Sequence, residues 1–154
     1  MEQLARSAGT WAGTNAFRLM PDDPPHDAVA SARVSVAAGG NLLEVAYTWG
    51  HPRDGAQSGL LVVGRGPADG TVTAFWGDSW HQHPEPKVLE GTLSGDVLSV
   101  GYDYSGDWRW TITLDASRAD VLALTMENTI PESEATESMA AGSYPAMAAT
   151  LARA

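Results

Sequence analysis

Short runs in which apolar and polar residues alternate, each closed by a turn signal after about 8–12 residues, set the rhythm of this chain and point to antiparallel sheet. Leu43, Val45, Tyr47 and Trp49 alternate with Glu44, Ala46 and Thr48, and Trp108, Trp110, Ile112 and Leu114 alternate with Arg109, Thr111 and Thr113. Val100, Tyr102 and Tyr104 repeat the pattern, as do Leu122, Leu124, Met126 and Asn128. Gly39-Gly40-Asn41, Pro67-Ala68-Asp69-Gly70, Ser94-Gly95-Asp96 and Ser105-Gly106-Asp107 supply the positive backbone angles and preset bends of tight turns. No stretch carries a long amphipathic helical period.

The expected strands run from Gly9 to Met20, Ala28 to Ala38, Asn41 to Trp49, Gly59 to Gly64 and Thr73 to His83, the last including the strand's exit. Lys87 to Leu93, Val97 to Tyr104, Trp108 to Leu114, Val121 to Ile130 and Ser143 to Arg153 follow. Met1 to Ala8 reads as one or two helical turns with Leu4 as the apolar contact, Pro21 to Asp27 as a breaker-rich loop, and Pro131 to Gly142 as acidic and irregular. About ten strands with mostly hairpin links imply one all-β domain over residues 1–154, an antiparallel up-and-down barrel with a jelly roll as the alternative. A barrel of this size removes exposed sheet edges and leaves an interior wide enough for one small ligand.

Nineteen acidic residues against nine basic give a formal charge of -10. Nucleic acid and anionic membranes need a cationic face, so neither is an expected partner. The absence of cysteine removes disulfides and thiolate chemistry and suits a reducing cytoplasm. The N-terminal residues lack the basic and apolar regions of a signal peptide, and no apolar run reaches the roughly 18 residues of a membrane span. A soluble, unprocessed cytoplasmic monomer or homodimer is the expectation.

The richest stretch is Thr73 to His83, which holds two of the four histidines and two of the six tryptophans. Strict alternation sets Trp76, Asp78 and Trp80 on one face and Phe75, Ser79 and His81 on the other, unless Gly77 introduces a bulge. Which face lines the interior stays open at this point. Asp78 and His81 form the candidate catalytic pair, since a carboxylate fixes an imidazole's tautomer and raises its basicity, but only a bulge or a bend brings them together. The competing role for Asp78 is to end the strand by bonding its own backbone. Tyr47, Trp49, Trp76, Trp80, Tyr102, Trp110 and Met126 are candidate walls of an apolar pocket. Arg109 is either an outward, solvated residue or an inward anchor for a ligand carboxylate. Alternation puts His81 and His83 on one face, similar to the His-x-His pair of metal-binding cupins. The later ligand of that pattern is missing, so neither a metal nor a cofactor is expected.

Gly9-Thr10-Trp11 is similar to the Gly-x-Trp opening of the calycins: lipocalins, fatty-acid-binding proteins and nitrobindins. The ordered set Asp78-Ser79-Trp80-His81, Trp108-Arg109-Trp110 and Met126-Glu127-Asn128-Thr129-Ile130-Pro131-Glu132 resembles an uncharacterised bacterial calycin-like barrel family, a domain of unknown function, over roughly Gly9 to Pro131. The resemblance implies that Trp11 packs under Arg153 of the last strand as a cation–π closure of the barrel floor. The ending Ala148 to Arg153 is also similar to that of the haem-binding nitrobindins, where a histidine just before it ligates iron. Ala146 and Met147 stand at that place here, and no histidine follows His83.

The functional expectation is a barrel that binds one small hydrophobic or aromatic molecule in its lumen, with Trp80 touching the ligand. The alternative is a cofactor-independent enzyme of cyclase or isomerase type acting on a hydrophobic metabolite in the same cavity. A third reading makes the barrel an interaction surface. Because the last strand lacks a histidine, added haem should give no histidine-ligated absorption band; a stoichiometric band that disappears in His81→Ala overturns that expectation.

Overall fold

The computed structural model describes residues 2–136 and 139–154. Met1, at the head of the expected helical turn, and Glu137 and Ser138, within the expected acidic segment, lie outside the described residues.

The strands are β1 (Gly9–Phe17), β2 (His26–Ala37), β3 (Leu42–His51), β4 (Gly55–Arg65), β5 (Thr71–Asp78), β6 (Gln82–Ser94), β7 (Val97–Tyr104), β8 (Trp108–Arg118), β9 (Val121–Ile130) and β10 (Gly142–Arg153). Each pairs antiparallel with the next, and β1 pairs with β10 to close a ten-strand barrel, so the jelly-roll alternative falls. A short helix, α1 (Glu2–Ala5), precedes the barrel. Among the described residues no helix is long and apolar enough to cross a membrane.

The alternation works as expected. Leu43, Val45, Tyr47, Trp49 and His51 of β3 are all buried, and so are Val72, Ala74, Trp76 and Asp78 of β5, while Phe75 between them is half exposed on the outer face. Several boundaries differ from the sequence expectation, each because a neighbouring strand decides them. β1 stops at Phe17 instead of Met20, where the Arg18 side chain turns to the carbonyls of Pro145 and Pro21. β2 starts earlier because His26 pairs with Phe17, and β4 starts at Gly55 because its pairing with β3 runs out to His51. β6 begins at Gln82 and contains Pro84 and Pro86. They fit there because residues 83–86 fall in the register shift of the β5–β6 ladder, and pairing with β7 begins only at Glu90, so neither ladder needs the missing N–H.

The interior is packed with side chains. Aliphatic residues such as Leu61, Leu89, Leu98, Ile112, Leu114, Leu122 and Leu124 fill its middle, and α1 covers one end with the fully buried Leu4. At this floor Trp11 donates its indole N–H to the Ser7 carbonyl at 2.9 Å, and the Arg153 guanidinium lies 4.5 Å from the centre of its ring. Arg153 also donates to the carbonyls of Ala8 and Arg6, tying β10 to the N-terminal turn. Gly9 is required beneath it: at φ +141° a side chain is strained, and a Cβ there would lie 2.8 Å from the guanidinium.

Trp11 combines full burial, a hydrogen bond and a cation–π contact at the seam of the barrel. Trp11→Ala should therefore cost about 3–5 kcal/mol of folding stability in urea melts, while Phe75→Ser on the outer face should change it by less than about 1 kcal/mol.

Candidate functional site

At the opposite end the interior changes character. The inward positions there are Phe17, Tyr47, Trp49, His51, Trp76, Asp78 and Trp110, an aromatic cage around one carboxylate. β5 ends at Asp78, and Ser79, Trp80 and His81 form the turn into β6. The β5–β6 pairing shifts register between Trp76 and Asp78, at the glycine where a bulge was expected. The turn brings His81 back over Asp78. Strict alternation had placed the two on opposite faces; the bend overrides it, and His81 Nδ1 lies 3.2 Å from Asp78 Oδ1.

Asp78 ends its strand and orients the histidine at once. Its Oδ1 accepts the backbone N–H groups of Trp80 and His81, both at 2.9 Å, in addition to the imidazole. Its Oδ2 accepts the Tyr47 hydroxyl at 2.8 Å and the Trp49 indole N–H at 3.1 Å, and the Trp76 indole donates to the Tyr47 oxygen at 2.8 Å. Gly59 of β4 sits between Tyr47 and Asp78 in the cross-strand row. A Cβ at Gly59 would stand 2.1 Å from the Tyr47 oxygen, so only glycine lets the phenol reach across the strand.

Burial alone pushes the Asp78 carboxyl up, but the hydrogen bond and charge of His81 and the two backbone N–H groups outweigh it and hold the pKa at about 2. Tyr47 goes the other way: burial first, then the Asp78 charge, raises it well above the usual phenol value, so it stays a donor. Burial also lowers the His51 pKa, and its Nδ1 accepts the backbone N–H groups of Arg53 and Asp54 in the neutral ring.

Rings enclose His81. Its ring centre is 4.6 Å from that of Trp49, 5.0 Å from Trp80, 5.0 Å from Trp110 and 6.0 Å from Phe17. The half-buried Trp80 stacks on His51 at 4.6 Å and donates its indole N–H to Asp54 at 2.8 Å. Trp110 stacks on Trp76 at 5.9 Å. Two buried polar side-chain atoms in this cage have no hydrogen-bond partner among the described residues: His81 Nε2 and Trp110 Nε1.

Tyr47, Trp49, Trp76, Trp80 and Trp110 thus converge with Asp78 and His81. Tyr102 is half-buried and 6.4 Å from Trp76, its hydroxyl bonded to Gln82. Met126 is buried opposite Ile112. The inward-anchor expectation for Arg109 is corrected: it lies on the outer face, 2.7 Å from Asp103, because it occupies the alternate position to the inward Trp110. His83 is also corrected. It is exposed on β6 while the His81 side chain is buried, because the turn breaks the alternation that had paired them. Among the described residues no group of three or more histidines and carboxylates is placed to hold a metal.

Sequence reasoning missed Phe17, His51, Asp54 and Gly59. His51 lies one alternation step beyond Trp49 and was hidden by the turn signal that follows it, whereas Phe17 lies inside the expected first strand, whose inward face had not been assigned that far. Gly59 carried the signal of an isolated glycine in a strand, which marks a close approach. Asp54 gave none.

A shallow groove of about 860 Å3 runs outside the barrel across β1–β5, lined by small residues such as Ala12, Ser31, Ala46 and Ser58. A second groove of about 380 Å3 lies at the rim, between the β1–β2 and β3–β4 loops. Phe17 and His51 belong both to its walls and to the ring cluster.

The family model described as a protein of unknown function, DUF1579, matches residues 1–144. No curated protein matches the chain.

The Asp78 network yields a signed pH prediction. The folded carboxyl titrates below its ordinary value of 3.8, so it stabilises the fold above that pH, and the contribution is lost as pH falls towards about 2. Asp78→Asn should cost roughly 2–3 kcal/mol in urea melts near neutral pH, and the gap to wild type should narrow between about pH 4 and 2. A gap independent of pH would show that Asp78 is not held ionised.

Proposed function

Because the chain belongs to the DUF1579 family, proteins of unknown function, its activity has to be read from its own site, and we propose that it binds a small apolar or aromatic molecule at the aromatic end of the barrel. One observation carries this: His81 Nε2 and Trp110 Nε1, buried and unpaired side by side within a wall of aromatic rings. An unsatisfied buried polar atom costs about 1–3 kcal/mol, and native proteins keep few of them. An aromatic enclosure with a few polar anchors is also the usual make-up of a ligand site. The rim groove is the route in, since its walls Phe17 and His51 touch Trp80, and parting the Trp80–His51 stack uncovers His81.

The Trp11–Arg153 closure of a ten-strand meander supports a calycin-like ancestry, a fold with the same habit of binding. The acidic, cysteine-free composition supports a cytoplasmic monomer or homodimer without nucleic-acid or membrane partners.

A second reading, a cofactor-independent cyclase or isomerase, is favoured by the Asp78–His81 geometry. With its Nδ1–H donated to Asp78, His81 is free to take a proton at Nε2. Asp78 itself is no base here, because both its oxygens are already committed. Turnover of a hydrophobic metabolite that stops in a folded His81→Ala variant would select this reading over simple binding.

The neutral fluorescent probe N-phenyl-1-naphthylamine should bind saturably, one to one, and shift the indole N–H resonances of Trp80 and Trp110 while leaving that of Trp11 in place. Absence of saturable binding, or shifts confined to outer-face residues such as Leu60, Phe75 and Val88, would overturn the proposal.

A further inference from the structure

The two unpaired nitrogens also constrain what a guest must present. Asp78 Oδ1 accepts the Nδ1–H of His81, so in the neutral ring Nε2 is only an acceptor; the indole Nε1–H of Trp110 is only a donor. The rings lie 5.0 Å apart with planes at 43°, and the two nitrogens do not bond to each other. A hydrocarbon satisfies neither. An ether or ketone accepts from Trp110 and leaves His81 unpaired; an amine cation donates to His81 and leaves Trp110 unpaired. A hydroxyl donates and accepts at the same oxygen, so it is the simplest single group that satisfies both. The ionised Asp78 behind His81 strengthens Nε2 as an acceptor and disfavours an anionic guest. The His81 side chain is 5% exposed and Trp110 8%, so both nitrogens are shut off from bulk solvent.

Resting on the reading that this end of the barrel takes an aromatic guest, we propose that the guest is a neutral aromatic alcohol or phenol, its O–H donated to Nε2 of His81 and its oxygen accepting the N–H of Trp110. The aromatic body stacks among the rings of Trp49, Trp80 and Trp110. The hydroxyl selects the guest.

Four probes of one size test this by calorimetric titration: 2-naphthol, 2-methoxynaphthalene, naphthalene and 2-naphthoate. Apolar transfer alone ranks the naphthol below the ether and the hydrocarbon. Hydrogen-bond selection reverses the order, and 2-naphthol should bind about tenfold or more tighter than either. His81→Phe and Trp110→Phe should each remove the preference for 2-naphthol over 2-methoxynaphthalene. In the wild-type protein, 2-naphthol should move the Trp110 indole N–H and the His81 Nε2 resonances, a readout that needs no variant to fold. Equal binding of naphthol and ether overturns the hydroxyl assignment and leaves aromatic binding standing. Preference for 2-naphthoate overturns it too, by placing a proton on Nε2. If none of the four binds saturably, the two nitrogens hold water only and both readings fall.

Discussion

One buried carboxylate organises the open end of this barrel. Removing a carboxylate from water costs several kcal/mol unless donors replace the lost hydration. Asp78 finds five: a phenol and an indole from β3, two backbone N–H groups of the turn that follows it, and an imidazole. Those same bonds stop β5, bend the chain and aim His81 inward. Because the oxygens are fully engaged, Asp78 acts on any guest only through His81, fixing which nitrogen is left to meet it. The site is therefore a product of local chain reversal as much as of the barrel.

The two ends of the interior divide the work. At the floor, Trp11 has its indole bonded, its ring covered by a guanidinium and its strand sealed against β10; nothing there is left unsatisfied. The middle is aliphatic packing. Among the described residues the buried polar side-chain atoms that lack partners lie at the other end, among stacked rings rather than hydrophobic branches. Satisfied and unsatisfied polar groups are thus separated along the barrel axis.

Much of the fold was legible because a period of two residues is a strong signal: Val97–Tyr104 and Val121–Ile130 match the expected strands at both ends. The shared inward face of Tyr47 and Trp49, and that of Trp110 with Ile112 and Leu114, followed from alternation, whereas the inward face of β5 with Trp76 had been left open. Three-dimensional closure was not legible. Asp78 and His81 meet through a turn that no period encodes, Arg109 faces out because Trp110 faces in, and Asp54 reaches Trp80 across a separation of 26 residues. Strand ends were misplaced where a partner strand extended the ladder beyond the local signal, as at Gly55 and Gln82.

The empty place at Gly59 has a consequence for how the meander assembles. Tyr47 and Asp78 are 31 residues apart, and their bond crosses β4 at a position without a side chain. A one-residue slip of β4 would turn its apolar face to solvent. A two-residue slip preserves the facing, and hydrophobic burial alone hardly penalises it. It would, however, drive Gln57 or Leu61 between the phenol and the carboxylate, leaving Asp78 buried and short of donors. The glycine thus proofreads strand alignment, making costly an assembly error that burial alone would tolerate.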